Sequence, residues 1–215
     1  MYLPYPGIFN KMKNADLFVF LDDAQYTNTY FYNRNKIKTP RGELLLTVPI
    51  INSFGQKLNE VKIENNIQWS RKHLKSLYAC YSKSKYFVNY IDFFHNIYAM
   101  KWELLHDLNL EILIQIMKLL DIETPLYYSS KLNLSKTAKT QRLIDICETL
   151  GADIYLSGPS GKDYLDKNLF EKHGIKLEFQ NYYPKEYPQL WGSYIPNLSI
   201  IDMLFNVGDN TKELL

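Results

Sequence analysis

The chain has 215 residues, 46% of them hydrophobic, with 25 Lys and Arg against 23 Asp and Glu and a net charge of +2. That length suits one medium α/β domain, and that apolar content excludes a disordered chain. The near balance of charge argues against a strongly basic nucleic-acid binder and leaves room only for a local basic pocket.

The chain carries 18 Tyr and 11 Phe. Tyrosine offers stacking area with a polar tip, which suits walls that hold sugars or bases. An AT-biased genome would give the same bias. The two cysteines, Cys80 and Cys147, lie among apolar residues in helical patterns and read as buried structural thiols. No stretch approaches the roughly 20 apolar residues of a membrane span, and no signal peptide precedes the first motif, so the expected location is cytoplasmic.

In chain order, MYLPYPGIFNKM opens with Pro and Gly and continues as a short helical pattern to about Ala15. LFVFL (17 to 21) is apolar throughout and predicts a strand buried on both faces, as in a parallel sheet. Residues 33 to 38 read as a polar, basic loop. GELLLTVPI (42 to 50) predicts a second strand, and LNEVKIE (58 to 64) an edge strand. Helix follows: 69 to 81 places Trp69, His73, Leu77 and Tyr81 at steps of four, and 85 to 120 reads as one or two long helices. A short strand at 126 to 129 precedes a helix at 137 to 151 that ends on Gly151.

ADIYLSG predicts another strand, followed by a loop and a helix stopped by Gly174, then the strand KLEFQNY. Pro184, Pro188 and Pro196 mark an irregular segment. The last helix, LSIIDMLFNVG, is capped by Ser199 and ended by Gly208. The economical architecture is an α/β fold of 215 residues. It has a largely parallel, open, nucleotide-binding-like sheet, with a helical insertion at about 66 to 125.

Ligands of open parallel sheets bind beyond the carboxyl ends of the strands. Two segments end in unusual polar residues there. The first is LFVFL followed by Asp22, Asp23, Gln25 and Tyr26. The second is DIYL followed by Ser157, Gly158, Lys162 and Tyr164. If their strands are parallel neighbours, both motifs face one crevice. Asp22 and Asp23 are adjacent, so on a strand they point to opposite faces and form no proton-sharing dyad. Either is a candidate general base, and a capping acid is the competing reading.

Asn33, Arg34 and Asn35 offer a guanidinium fork and amides for a phosphate or carboxylate, or simply a charged surface loop. SGPSGK allows close backbone approach and an anion at Lys162. It lacks the glycine spacing of a P-loop, and a plain strand-to-helix turn is the equal competitor. His73 is a candidate base or a packed core residue. No His or Cys spacing supports a metal site. Ser199 and Asp202 fit a capping box, which leaves Gln189 and Asn206 unexplained.

Several motifs together resemble the WbqC-like protein family. These are YLPYPGIF, ADLFVFLDDAQY, NRNKIKTPRG, LLTVP, Trp69 to His73, ETLGADIYLSGPSGKDYLD, FEKHGI, YPQ and LSIIDMLFNVG. The likeness covers nearly the whole chain in the family's order. It implies an association with bacterial O-antigen, capsule or flagellin-glycan gene clusters, and an acyl or aminoacyl transferase acting on a nucleotide-linked amino sugar. The acyl group would arrive as a thioester or other activated donor, with an acyl-carrier protein as a candidate partner. The motif positions are Asp22, Asp23, Gln25, Tyr26, Asn33, Arg34, Asn35, Ser157, Gly158, Lys162, Tyr164, Gln189, Asp202 and Asn206. The resemblance also implies a short leading strand ending in Gln-Pro; here Met1 directly precedes Tyr2. Two further readings stay open: nucleotidyl transfer or ATP-dependent activation with a divalent metal at Asp22, and a non-catalytic carrier- or complex-binding protein.

Overall fold

The computed structural model describes every residue except 29, 30, 52, 53, 136 and 138. The chain divides into two compact units. One comprises Met1–Asn10, Asp23–Glu123 and Pro184–Leu215, and the other Lys11–Asp22 and Thr124–Tyr183. The first helix, α1 (Pro6–Lys13), contributes residues to both.

In the first unit, β2 (Arg34–Thr39) and β3 (Gly42–Thr47) form an antiparallel hairpin whose register runs from Arg34↔Thr47 to Thr39↔Gly42. The turn needs φ +109° at Gly42, a conformation open to glycine and strained for L residues. The segment expected to be a polar loop at 33 to 38 is therefore mostly a strand. Asn35 and Ile37 turn into the core, while Lys36 faces out and pairs with Glu43 across the hairpin at 2.6 Å. LNEVKIE is not an edge strand. Leu58–Glu60 is a 3-10 turn, and Lys62 and Ile63 make only isolated bridges to Leu104 and Ile50. Its alternation of apolar and charged residues reflects Val61 and Ile63 entering the core from an irregular path.

The helical segment is present as α2 (Trp69–Tyr81), α3 (Phe87–Ala99) and α4 (Leu105–Leu119). Each buries one stripe at three- and four-residue steps: Trp69, His73 and Leu77 on α2; Phe87, Tyr90, Ile91 and Phe94 on α3; Leu105, Leu108, Ile112 and Ile116 on α4. The helix α7 (Ile200–Val207) buries all six residues from Ile200 to Phe205. The Phe205 ring lies 5.0 to 5.6 Å from those of Tyr81, Phe87 and Phe94, centroid to centroid. Each such side chain contributes about 1.5–3 kcal/mol by leaving water. Ser199 caps α7 through Ile201 N–H, and Gly208 ends it at φ +60°. A Cβ on Gly208 would lie 2.6 Å from the Tyr86 ring, so packing and backbone both demand glycine there. A short helix, α8 (Thr211–Leu214), closes the chain.

In the second unit, β1 (Phe18–Phe20) pairs in parallel with β4 (Leu126–Tyr128), and β5 (Ile154–Ser157) in parallel with β6 (Lys176–Phe179). The connection from β5 to β6 runs through α6 (Lys167–Lys172), a parallel crossover by helix. β1 and β5 are thus not hydrogen-bonded neighbours; each pairs with a later strand. The core gathers Leu143, Ile144 and Cys147 of α5 (Lys139–Leu150) with Phe170 and Ile175. Leu21, Tyr155, Leu165 and Leu177 pack against it. The result is an α/β fold with short parallel sheets and an antiparallel hairpin.

Candidate functional site

In the second unit, two strand ends carry polar groups. The chain leaves β1 at Leu21, which packs into the core, so the next residue, Asp22, turns to the end of β4. The Asp22 carboxylate accepts from Ser130 N–H at 2.9 Å, Ser130 Oγ–H at 2.5 Å and Ser129 Oγ–H at 3.3 Å. It is buried, and it anchors the 3-10 turn Ser129–Lys131 to the strand before it. The capping reading of Asp22 thereby has a concrete form.

At the second strand end, Gly158 leads into the 3-10 turn Pro159–Asp163. The Gly161 N–H donates to Gly158 C=O at 3.0 Å. A Cβ on Gly161 would come within 2.0 Å of Ser157 Oγ and 2.9 Å of Leu165 Cδ1. Ser157 is buried, and its hydroxyl faces Gly158 C=O at 3.1 Å. Gly161→Ala should therefore displace that hydroxyl and lower stability by about 1–3 kcal/mol, read by denaturant unfolding. An unchanged midpoint would mean the turn is loosely packed. Lys162 and Tyr164 are exposed, and the Lys162 ammonium lies 5.5 Å above the Phe179 ring.

Beside this turn stands a residue that sequence reading missed. Lys11, in the last turn of α1, places Nζ 3.5 Å from where a Cβ on Gly158 would sit. It is half-buried, burial pulls its pKa below the usual lysine range, and no carboxylate among the described residues forms an ion pair with it. A desolvated ammonium beside exposed loop backbone favours an anionic group. Nothing local in FNKMK announces this, because a basic residue near a helix C-terminus is ordinary. Only the tertiary approach to Gly158 singles it out.

The remaining candidates belong to the first unit, where most serve the fold. Asp202 is fully buried and accepts from Tyr81 O–H at 2.7 Å, Tyr187 O–H at 2.8 Å and Asn206 Nδ2–H at 3.3 Å. Burial raises its pKa, and the tyrosines and the nearby Lys38 ammonium oppose that rise. Lys38, also buried, donates to Gln189 Oε1 at 2.9 Å and to Ser193 C=O at 2.5 Å. Gln189 also serves Ile195 at both ends of its amide, at 2.9 and 3.0 Å. Asn206 Oδ1 accepts from Leu190 N–H at 3.2 Å. Gln189 and Asn206, unexplained by helix capping, hold an irregular proline-bearing segment that has no ladder to satisfy its backbone.

Asn33 donates to Val48 C=O at 2.9 Å and Asn35 to Leu3 C=O at 2.6 Å, so both are structural crosslinks. Arg34 donates to Asn28 C=O. Gln25 is exposed and bridges Lys57, while Asp23 is half-buried. Tyr26 is buried.

His73 occupies a core position. Its Nδ1 meets Tyr2 Oη at 2.7 Å, its ring is edge-on to Trp69 and Tyr98, and burial lowers its pKa to about 4. The opposing hydrogen bond to the Thr47 backbone does not offset this. A sealed imidazole with so low a pKa is poorly matched to proton abstraction near neutrality, and the packed-residue reading fits it better.

Among the described residues no group of three or more His, Cys, Asp or Glu is placed to hold a metal ion. Nor is any described helix long and apolar enough to cross a membrane. The profile of the WbqC-like protein family matches residues 1–214. The chain is 35% identical over 218 residues to a Mycobacterium tuberculosis (strain ATCC 25618 / H37Rv) protein named "Uncharacterized protein Rv1507c", covering 100% of this chain and 94% of that one. No solved structure matches.

Proposed function

We propose, from the premise that this chain belongs to the WbqC-like protein family, that it is a transferase of bacterial surface-polysaccharide biosynthesis. It would move an acyl or aminoacyl group onto a nucleotide-linked amino sugar. The observation that carries this reading is the Lys11 ammonium, half-buried beside Gly158 and without a carboxylate partner among the described residues. That pairing suits the diphosphate of a sugar nucleotide, with Lys162 as a second, exposed cation. Tyr164, exposed on the same turn, offers a stacking face.

In the reaction, the sugar amine attacks the carbonyl carbon of a thioester. The C–N bond forms, the C–S bond breaks, and the thiolate leaves. The amine's proton passes to a carboxylate, for which Asp22 is the candidate in this unit. Its hydrogen bonds from Ser129 and Ser130 would orient it.

Titration calorimetry with a UDP-linked hexosamine tests the reading. Lys11→Met should weaken binding about tenfold or more, the usual range for losing a charge-assisted hydrogen bond. Lys162→Met should weaken it less, because that ammonium is exposed. Equal affinity in wild type and Lys11→Met overturns the anion assignment. Stabilisation by ATP with Mg²⁺ and not by the sugar nucleotide would favour nucleotidyl transfer instead. Binding to a carrier protein, with no acyl turnover, would favour an assembly role.

A further inference from the structure

In the first unit, α2 turns Trp69, His73, Leu77, Cys80 and Tyr81 into the core. Its outward face carries Arg71, Leu74, Lys75, Tyr78, Ala79 and Ser82, which together line an open hollow of about 610 Å³. These residues stand at three- and four-residue steps, so they form one continuous stripe along the helix. All but the half-buried Leu74 are exposed. Leu74, Tyr78 and Ala79 make an apolar centre. Arg71 and Lys75 border it at one end, with Lys72 beside them, and Lys83 and Lys85 follow the other end.

From residue 65 to residue 91 the chain holds no Asp or Glu. Among the described residues, none of these five cations forms an ion pair. Lys83 and Lys85 instead lie 6.0 Å above the Trp191 ring and 5.0 Å above the Tyr86 ring. A run of charge alone is usually a solvated face, but this one surrounds a fixed aromatic. Tyr78 is 41% exposed, yet its Oη meets His95 Nε2 at 2.8 Å. Its ring stands edge-on to those of Phe87 and His95, at 5.1 and 5.6 Å between centroids. An exposed tyrosine already held in one orientation loses little rotamer freedom when a partner covers it, which makes it an efficient anchor.

Shape and charge select the occupant. The whole lining comes from one helix, so no second wall closes on a small molecule. Residues 71 to 82 span roughly 17 Å, three turns, which is the footprint of one helix laid alongside. We propose that this face of α2 docks an acidic amphipathic helix of a protein partner. Its apolar seam covers Leu74, Tyr78 and Ala79, and its carboxylates reach Arg71, Lys72 and Lys75. A lipid surface is the competing source of negative charge, but helices that bind one present a free apolar face to it. The broad apolar face of α2 is packed in the core. The proposal rests on first-unit residues alone and does not depend on the anion assignment at Lys11.

Fluorescence anisotropy with a labelled helical peptide of about four turns tests it. The peptide carries leucines at three- and four-residue steps and glutamates along both borders; a control peptide has lysines in place of the glutamates. The full chain should bind the acidic peptide saturably and lose affinity as salt rises. The double variant Arg71→Glu with Lys75→Glu should weaken that binding about tenfold or more. Its thermal midpoint should match wild type, because neither side chain has an ion-pair partner to lose. Ala79→Glu, at an exposed helix position, serves as the second variant and should weaken binding similarly. The proposal is overturned by any of four results: no saturable binding of the acidic peptide at hundreds of micromolar; equal affinity in wild type and the double variant; equal binding of the lysine peptide; or tighter binding to phosphatidylglycerol vesicles than to the peptide, lost in the same variant, which assigns the face to a membrane.

Discussion

Lys38→Met should destabilise the protein by about 3–5 kcal/mol, the loss expected when one member of a buried, hydrogen-bonded charge network is removed. Lys38 is 1% exposed, and its Nζ is the donor to both Gln189 Oε1 and Ser193 C=O. Methionine would fill the space of the stem but take this donor from Ser193 C=O and leave Gln189 Oε1 with Ile195 N–H alone. It would also remove the positive charge that helps keep the buried Asp202 carboxylate ionised. Tyr81 connects the two residues, accepting from Lys38 N–H at 2.9 Å and donating to Asp202 at 2.7 Å.

Urea unfolding of Lys38→Met, Asp202→Asn and the double variant makes the measurement. The double variant should be about 1–3 kcal/mol more stable than the sum of the singles predicts, because neutralising Asp202 removes the charge that Lys38 balances. Strict additivity, or a loss under about 1 kcal/mol for Lys38→Met, would show that the network is dispensable.

Acidification from pH 7 to pH 4 should remove about 3 kcal/mol of stability through His73 alone. In the unfolded chain a histidine binds its proton near pH 6.5, whereas the buried ring takes one only near 4. Between those values the unfolded chain holds more protons. Stability from this group is therefore complete above about 6.5 and is lost as pH falls toward 4. In His73→Phe the hydrogen bonds to Tyr2 and Thr47 are gone, so the variant is less stable at pH 7, but it has no proton to take up. The gap between wild type and variant should narrow by about 3 kcal/mol across that window. The buried Met1 amine, lowered to about 5, pulls in the same direction in both proteins, so the gap carries the test and the slope of either curve does not. A gap that stays constant with pH would show that His73 is solvated in solution.

The helices were legible in the sequence because their signals are local. The four-residue steps from Trp69 to Tyr81 coincide with α2, and Ser199 and Gly208 bound α7 as caps should. The short strands at Leu126 and Lys176 fall within the segments expected as strands, 126 to 129 and KLEFQNY. Strand β2 was not. In NRNKIKT the polar residues that suggest a loop include Asn33, Asn35 and Lys38, all buried. Their partners, Val48, Leu3 and Gln189, are 15, 32 and 151 positions away. Long-range satisfaction of a polar group leaves no periodic trace.

The same reason governs the site. Gln189 and Asn206 stood out as polar residues in apolar surroundings, which is equally the mark of a ligand contact and of a crosslink. Only their partners distinguish the two. Lys11 is the converse, an ordinary surface-like residue in sequence whose environment alone gives it chemical interest.

The chain passes between its two units after residues 10, 22, 123 and 183. No single cut therefore releases either one whole. A fragment of residues 124–183 would keep β5, α6 and β6 but lack β1, the parallel partner of β4, along with Lys11 and the carboxylate of Asp22 that receives Ser130. Isolating that half for binding work requires residues 11–22 to be rejoined by a designed linker. Deletion from the N-terminus through residue 22 would report on the broken β1–β4 pair, not on function.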